Sequence, residues 1–272
     1  MKDGEAFKGK VVLVTGGNKG IGRETARVFG QLGARLFICG REVESLSLVK
    51  DSFEREGIVV TSVQTDVRDP EACARLIDTI KAEAGRLDVV VNNAGMSMRG
   101  SLEETSVEVV RAMMEINFLG AAYITHFAIP LLKASKGSVV FISSLSALHG
   151  LPAIAPYGAS KSALRALSES LRAELYHDQV HVGLVHVGFT QNDPGKVGYG
   201  KDGEPILIRR PHNSNTQMQV AEKIVYCVRK RRPELVLTSL GKLAGFAYRF
   251  FPRLSDLIIS RSAGKSSMYG VR

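Results

Sequence analysis

The sequence predicts an α/β fold: one doubly wound domain with a seven-stranded parallel sheet, helices on both faces and a C-terminal helical extension. Three observations predict it. Short β-branched runs alternate with helical patterns from residue 10 onward. A glycine-rich turn, Gly16-Gly17-Asn18-Lys19-Gly20-Ile21-Gly22, joins the first of these runs to the first helical pattern. The 272 residues, 44% of them hydrophobic, suffice for one large core, and neither an internal repeat nor a low-complexity tract divides them, so 1–272 is expected to form a single domain.

The elements follow in order. KVVLVT at 10–15 contains the first strand, near 11–15, and ETARVFGQLG continues the first helix beyond the glycine turn. Further strands are expected near 35–39, 59–63, 88–91, 138–142, 181–187 and 234–238. NNAG at 92–95 turns after the fourth strand, and the serine pair Ser143 and Ser144 ends the fifth run. A long helix from about 156 to 177 then carries Tyr157 and Lys161 in its first turns. The stretch 189–216 is rich in Gly, Pro and polar residues and long for a connection, which marks a substrate loop that is either a lid or disordered. Helical spacing returns at about 239–272. In such a sheet, ligand-binding loops gather at the C-terminal ends of the strands.

The chemistry starts from Tyr157 and Lys161, four residues apart in YGASK and therefore on one helix face. A phenol titrates near ~10 and exchanges protons poorly at neutrality unless a fixed positive charge stabilises its phenolate. Lys161 is placed to do that. Ser144, thirteen positions before Tyr157, can hydrogen-bond the same substrate oxygen, and the three together read as carbonyl–alcohol chemistry. At the other end, Gly16, Gly20 and Gly22 permit a tight turn and close approach of a pyrophosphate to a helix N-terminus.

TGGNKGIG at 15–22, NNAG at 92–95, Asn117, Ser144 and YGASK at 157–161 together resemble the short-chain dehydrogenase/reductases, in order and in spacing, over about 8–190. The resemblance implies a Rossmann-type domain in which hydride passes between a nicotinamide and the substrate carbon. It implies that Tyr157 exchanges the proton with the substrate oxygen, that Ser144 orients and polarises that oxygen, and that Lys161 supports the phenolate and holds the ribose hydroxyls. Asn117, in MMEINFLG, is implied to hold a water and a backbone carbonyl in a proton relay to the lysine. The implied cofactor contacts are Gly16, Asn18, Lys19, Gly20, Ile21 and Gly22 in the turn and Gly40 and Arg41 after the second strand. Asp66 and Val67 follow at the adenine, then Asn93, Ala94 and Gly95, the pair Tyr157 and Lys161, and Gly188 and Thr190.

Charge selects among cofactors. An acidic residue ending the second strand would repel a 2′-phosphate, whereas this chain has Gly40 there, followed by Arg41 and facing Lys19, so NADP(H) is expected. Two departures from the family pattern affect the nicotinamide half: Val187-Gly188 replaces the usual Pro-Gly, and Asn192 stands where a diphosphate-contacting threonine is common. His149 and His186 border the expected site without an assigned role, and no metal site is expected.

Three scattered cysteines, Cys39, Cys73 and Cys227, suggest neither a disulfide framework nor a zinc cluster. The first residues, MKDGEAFKGK, carry no apolar core of a signal peptide, and no run of about eighteen apolar residues is seen, so a cytoplasmic enzyme is expected. The net charge of +9 lies wholly in 191–272, with 15 Lys+Arg against 6 Asp+Glu. In that region Leu243, Phe246, Ala247, Phe250 and Phe251 recur at helical spacing beside Lys242, Arg249, Arg253 and Arg261, with Leu254, Leu257 and Ile258 after Pro252. Such a face suits an anionic membrane surface better than nucleic acid, which is not expected as a partner. Packing on the chain's own domain or on a second subunit is the competing reading, and the segment resembles the eleven-beta-hydroxysteroid dehydrogenase branch of the family.

The expected partners are a small-molecule carbonyl or alcohol substrate, of hydrophobic character, and a second copy of the chain. A homodimer or homotetramer is expected through Ala163, Leu167, Leu171 and Leu175 on the long helix, a peripheral membrane contact through the C-terminal segment. An oxidative dehydrogenase of steroid or lipid alcohols is an alternative. A non-catalytic NADP(H)-sensing or scaffold protein is another, opposed by the presence of all four catalytic residue types.

Overall fold

The structure, a computed structural model, describes residues 6–211 and 214–263. Val11–Thr15 (β1) is buried along its whole length. It pairs in parallel with Arg35–Gly40 (β2) on one side and Val89–Asn92 (β4) on the other. Val60–Gln64 (β3), Ser138–Ser144 (β5), His181–Val187 (β6) and a short strand Glu234–Val236 complete a parallel sheet of seven strands. With Val197–Tyr199 (β7) and Pro205–Leu207 (β8) preceding it in the chain, that last strand is β9, and the sheet order is β3-β2-β1-β4-β5-β6-β9. The chain winds outward from β1 to β3, then returns to β4 and winds the other way. The switch point therefore lies between the C-terminal ends of β1 and β4.

Because both faces of this sheet are covered, its inner strands are apolar on both sides rather than alternating. One face, with Val12, Val14, Leu36, Ile38, Val140 and Val185, packs against Gly20–Gln31 (α1), Val43–Arg55 (α2) and Gln217–Arg229 (α7) through Phe29, Phe53 and Ile224. The other, with Leu13, Phe37, Val90, Val139, Phe141 and Leu184, packs against Pro70–Ala84 (α3), Gly120–Ser135 (α5) and Ala155–Glu174 (α6) through Leu76, Ile80, Ile124, Leu132 and Leu164. At the base of the sheet Asp88 ties β1 to β4, accepting from the Val11 amide at 3.0 Å and from Arg86 and Lys10 side chains. These bonds outweigh burial, which pushes the carboxyl up, and hold it below the usual carboxylate range.

Four expectations need correction. The long helix spans Ala155–Glu174, and Leu171 and Leu175 are only 6% and 3% exposed, packed into their own subunit's core, so they offer no face to a partner. The 189–216 loop is not featureless: β7 and β8 form an antiparallel pair within it, and Tyr199 bonds the backbone of Ser97 and Arg99. One helical stretch, Val107–Ser135, made of Val107–Met114 (α4), a wider π-type turn and α5, is long and apolar enough by length and composition to cross a membrane. Its buried side chains, Ile124, Ala128 and Leu132 among them, belong to the core under the sheet.

The fourth lies in Ser239–Phe250 (α8) and Pro252–Ala263 (α9). Helix α8 packs on the segment after β5 by its glycine stripe: Gly241 faces Leu145, where a Cβ would collide, and Gly245 faces Leu148. Its aromatics point the opposite way. Phe246, Phe250 and Phe251 are 57%, 58% and 58% exposed, and Leu254, Leu257 and Ile258 of α9 are exposed too, so among the described residues their own domain does not bury them.

Candidate active site

The glycine turn sits at the switch point. Gly16 and Gly20 have φ of 63° and 54°, in the left-handed region, and a Cβ on Gly22 would run into the Gly16 carbonyl and the Asn93 amide. Thr15, which the sequence reading passed over, locks the two turns together: its hydroxyl accepts from the amides of Asn93 and Ala94, both at 3.0 Å. Asn93 returns a bond to the Thr15 carbonyl at 3.0 Å. The first turn of α1 has no side-chain cap and no acidic residue of its own, leaving its N-terminal dipole for an anion. These features fit a dinucleotide diphosphate.

The four expected catalytic residues lie on elements around it: Ser144 ends β5, Asn117 precedes α5, and Tyr157 and Lys161 open α6. Asn117 lies in the π-type turn Glu115–Leu119, a geometry that marks functional sites in helices, and is 1% exposed. Its side chain clamps the Met96 backbone, accepting from the amide at 2.8 Å and donating to the carbonyl at 2.9 Å, and donates to Ser160 at 3.0 Å. Ser160, unassigned from sequence, passes on to the Tyr157 carbonyl at 2.7 Å. The Lys161 ammonium donates to the Ile142 carbonyl at 2.9 Å. It is 5% exposed, and burial pushes it down to about 8. Gly95 faces this pair so closely that a Cβ there would lie 2.9 Å from Asn117 Oδ1 and 3.2 Å from Lys161 Nζ.

Ser144 ends β5, half-buried, with its hydroxyl accepting from the Ser146 amide at 3.2 Å. Behind it His186 is fully buried, with Nδ1 3.1 Å from the Ser144 carbonyl oxygen and Nε2 2.8 Å from a Glu234 carboxylate oxygen. His149 instead lies against Tyr248 of α8, ring centroids 5.8 Å apart. Gly188 packs against Thr238. The Thr190 hydroxyl is buried and donates to the Gly188 carbonyl at 3.2 Å, a bond that holds the turn missing its proline.

At the adenosine end the geometry is more mixed than the sequence suggests. Asn18 donates to Ser45 at 2.8 Å and closes against Gly40. Lys19 does not stand alone with Arg41: it pairs with Glu42 at 2.6 Å, a carboxylate one position beyond the expected cation. That bond, above all, holds Glu42 below the usual carboxylate range. Asp66, expected at the adenine, is bonded by Arg68 at 3.0 Å through Nε, which lowers it likewise, and Val67 is buried next to it. The substrate loop reaches both ends of the site, with Lys196 near Lys19 and Glu42 and Arg210 near Tyr157. Asn192 donates to the Ile208 carbonyl at 2.5 Å, and Arg210 lies 5.7 Å from the Phe189 ring centre with its buried Nε unpartnered. Burial lowers the Arg210 guanidinium, opposed by Tyr157. Neither Glu42 nor Arg210 carries a local sequence signal; both matter through what folds against them.

Known proteins resemble this chain in sequence and in fold. The family profile described as short chain dehydrogenase matches residues 10–196. A rat protein named dehydrogenase/reductase SDR family member 7B is 32% identical over 95% of this chain and 83% of its own length. An Arabidopsis thaliana protein named 11-beta-hydroxysteroid dehydrogenase-like 2 is 38% identical over 73% of this chain and 66% of its own length. Among solved structures, a metagenomic short-chain oxidoreductase in complex with NADP superposes with a TM-score of 0.71 at 27% identity, over 85% of this chain and 97% of its own. A Burkholderia phymatum enzyme in complex with NAD has a TM-score of 0.81 at 22% identity, over 92% and 96% of the two chains, which speaks to the fold. With its motif residues gathered at the switch point of the sheet, this chain belongs to the short-chain dehydrogenase/reductase family of oxidoreductases.

Proposed function

We propose that the protein is an NADP(H)-dependent oxidoreductase interconverting a carbonyl and a secondary alcohol on a hydrophobic substrate. The observation that carries this reading is the chain of bonds from Asn117 through Ser160 to the Tyr157 carbonyl, beside the buried Lys161, whose ammonium reaches Ile142 near the end of β5. When bound, the nicotinamide supplies or accepts the hydride. Tyr157 exchanges the proton with the substrate oxygen, Ser144 orients that oxygen, and Lys161 supplies the positive charge that favours the phenolate. Asn117 fixes the Met96 backbone and the helix α6 entry, so that the relay has one geometry. Gly16, Asn18, Gly20, Ile21, Gly22, Asn93, Ala94, Gly95 and Gly188 form the cofactor's seat, with Lys19 and Arg41 toward the 2′-phosphate.

The C-terminal helices extend the reading to a peripheral membrane contact. Leu243, Phe246, Phe250, Phe251, Leu254 and Ile258 form an exposed apolar surface beside basic residues, and α8 borders the substrate side through Leu145 and Leu148. A hydrophobic alcohol or ketone then enters from the bilayer surface. Assembly with a second copy follows the family's habit, without the help of Leu171 and Leu175.

The test is spectrophotometric NADPH oxidation over a panel of ketones and aldehydes by wild type and Tyr157→Phe. The expected result is turnover of at least one apolar carbonyl, lowered by more than about a hundredfold in the variant while cofactor binding persists. Near-wild-type turnover in Y157F overturns the mechanism.

A further inference from the structure

We propose that Asp193 is a built-in place-holder for the cofactor's diphosphate, so that its carboxylate and the dinucleotide compete for the N-terminus of α1 and the substrate loop sets cofactor affinity. The proposal rests on the cofactor reading above and adds a residue outside the motifs quoted for the family.

The geometry is specific. Asp193 Oδ2 accepts from the amide of Gly20, the first residue of α1, at 2.9 Å. Oδ1 accepts from Arg23, one turn along the same helix, at 3.1 Å and from Gln217, which opens α7, also at 3.1 Å. Gln217 further donates to the Gln191 carbonyl at 3.1 Å, closing a clasp between the loop, α1 and α7. Asp193 lies 173 positions from Gly20 in the chain, so only the fold of the loop brings it there. The first turn of α1 holds no acidic residue, and this carboxylate supplies the negative charge that the helix dipole and Arg23 attract. Burial pushes the Asp193 carboxyl up, but Gln217, Arg23 and the Gly20 amide together hold it below the usual range, so it is ionised at neutral pH.

A diphosphate needs the same attractions. It is recognised at a helix N-terminus by backbone amides and dipole, and a resident carboxylate both occupies a donor and repels the incoming charge. Displacing Asp193 therefore reduces net affinity by the strength of the clasp. The diphosphate is common to NADH and NADPH, so the effect is equal for both and separate from any discrimination at Lys19 and Arg41.

Fluorescence titration of NADPH and NADH against wild type, Asp193→Asn and Gln217→Ala tests the proposal by binding alone. Asn keeps the shape and removes the charge. D193N should bind both nucleotides about tenfold more tightly with their affinity ratio unchanged, and Q217A, which keeps Asp193 but loosens it, about threefold. Thermal melting confirms that each variant is folded, and Q217A decides the question should D193N not be. Unchanged or weaker binding in a folded variant overturns the place-holder role and makes Asp193 an organiser of the site. Failure of wild type to bind either nucleotide overturns the cofactor reading instead.

Discussion

Lys161 on α6 reaches back to the carbonyl of Ile142 on β5, 2.9 Å away, while Ser143 Oγ donates to the Lys161 carbonyl at 3.1 Å. Strand and helix are stitched in both directions where Ser144 ends β5 and Tyr157 opens α6, the two residues that face one substrate in the proposed reaction.

The cost of that stitch is a buried ammonium. Burial brings Lys161 to about 8 from 10.5, so below pH 8 the folded state carries the full desolvation penalty. Between 8 and 10.5 the unfolded chain still binds the proton that the folded chain has shed, and stability rises with pH. Lys161→Met should abolish turnover yet raise stability by about 2–4 kcal/mol at pH 7. The gain over wild type should shrink as pH passes from 8 to 10.5, as chemical denaturation at several pH values would show. A variant less stable than wild type at pH 7 refutes the account.

Acid should act through His181. Its ring is buried at the start of β6, Nε2 donating to the Arg232 carbonyl at 2.9 Å and Nδ1 unpartnered, and burial lowers it from 6.5 to about 4. The unfolded chain takes up the proton first, so stability should fall by about 2–3 kcal/mol as pH drops through that window. His181→Gln should flatten the slope between pH 6.5 and 4 in urea titrations.

Cofactor choice should turn on three side chains. Lys19→Ala and Arg41→Ala are expected to weaken NADPH more than NADH, each by about tenfold. Glu42→Gln should do the reverse, since it releases Lys19 from its 2.6 Å pair and removes a carboxylate near the 2′-phosphate. Equal affinities for the two nucleotides in wild type, measured by fluorescence, would reject NADP(H) as the preferred cofactor.

Asn117→Ala should cost about 2–4 kcal/mol, because it strands the Met96 amide and carbonyl in a buried site and takes from Ser160 the bond that its hydroxyl accepts. Turnover should fall as well. A melting temperature within a degree or so of wild type would show that water replaces the amide without loss.

Liposome co-sedimentation should report binding to anionic vesicles at low salt, weakening as salt rises, because basic residues near an anionic leaflet contribute about 1 kcal/mol each. Changing Phe246, Phe250 and Phe251 together to Ser should remove it. Should anionic vesicles at low salt not bind, the exposed aromatics belong to a contact with a second copy, and light scattering of the same variant would reveal it.

Much of this protein was legible before folding. Strand-forming runs such as VVLVT, the left-handed glycines of the first turn and the Tyr157/Lys161 spacing are local properties, set by backbone sterics and helix periodicity, and each appears where expected. Asn117 was legible as a buried amide in an apolar helix; that it sits in a widened turn and clamps Met96 was not. Periodicity says which residues share a helix face but not which way the face turns, so Leu171 and Leu175 proved to be core and the α8 aromatics to be surface. Charge counting missed Glu42 as the partner of Lys19, since a pair 23 positions apart forms only once α1 and α2 are seated on β1 and β2. Likewise only the tertiary structure places Asp193 on Gly20: the alternation of strands and helices determines where the cofactor's seat lies, while the path of a loop, decided by long-range contacts, determines which charge reaches it.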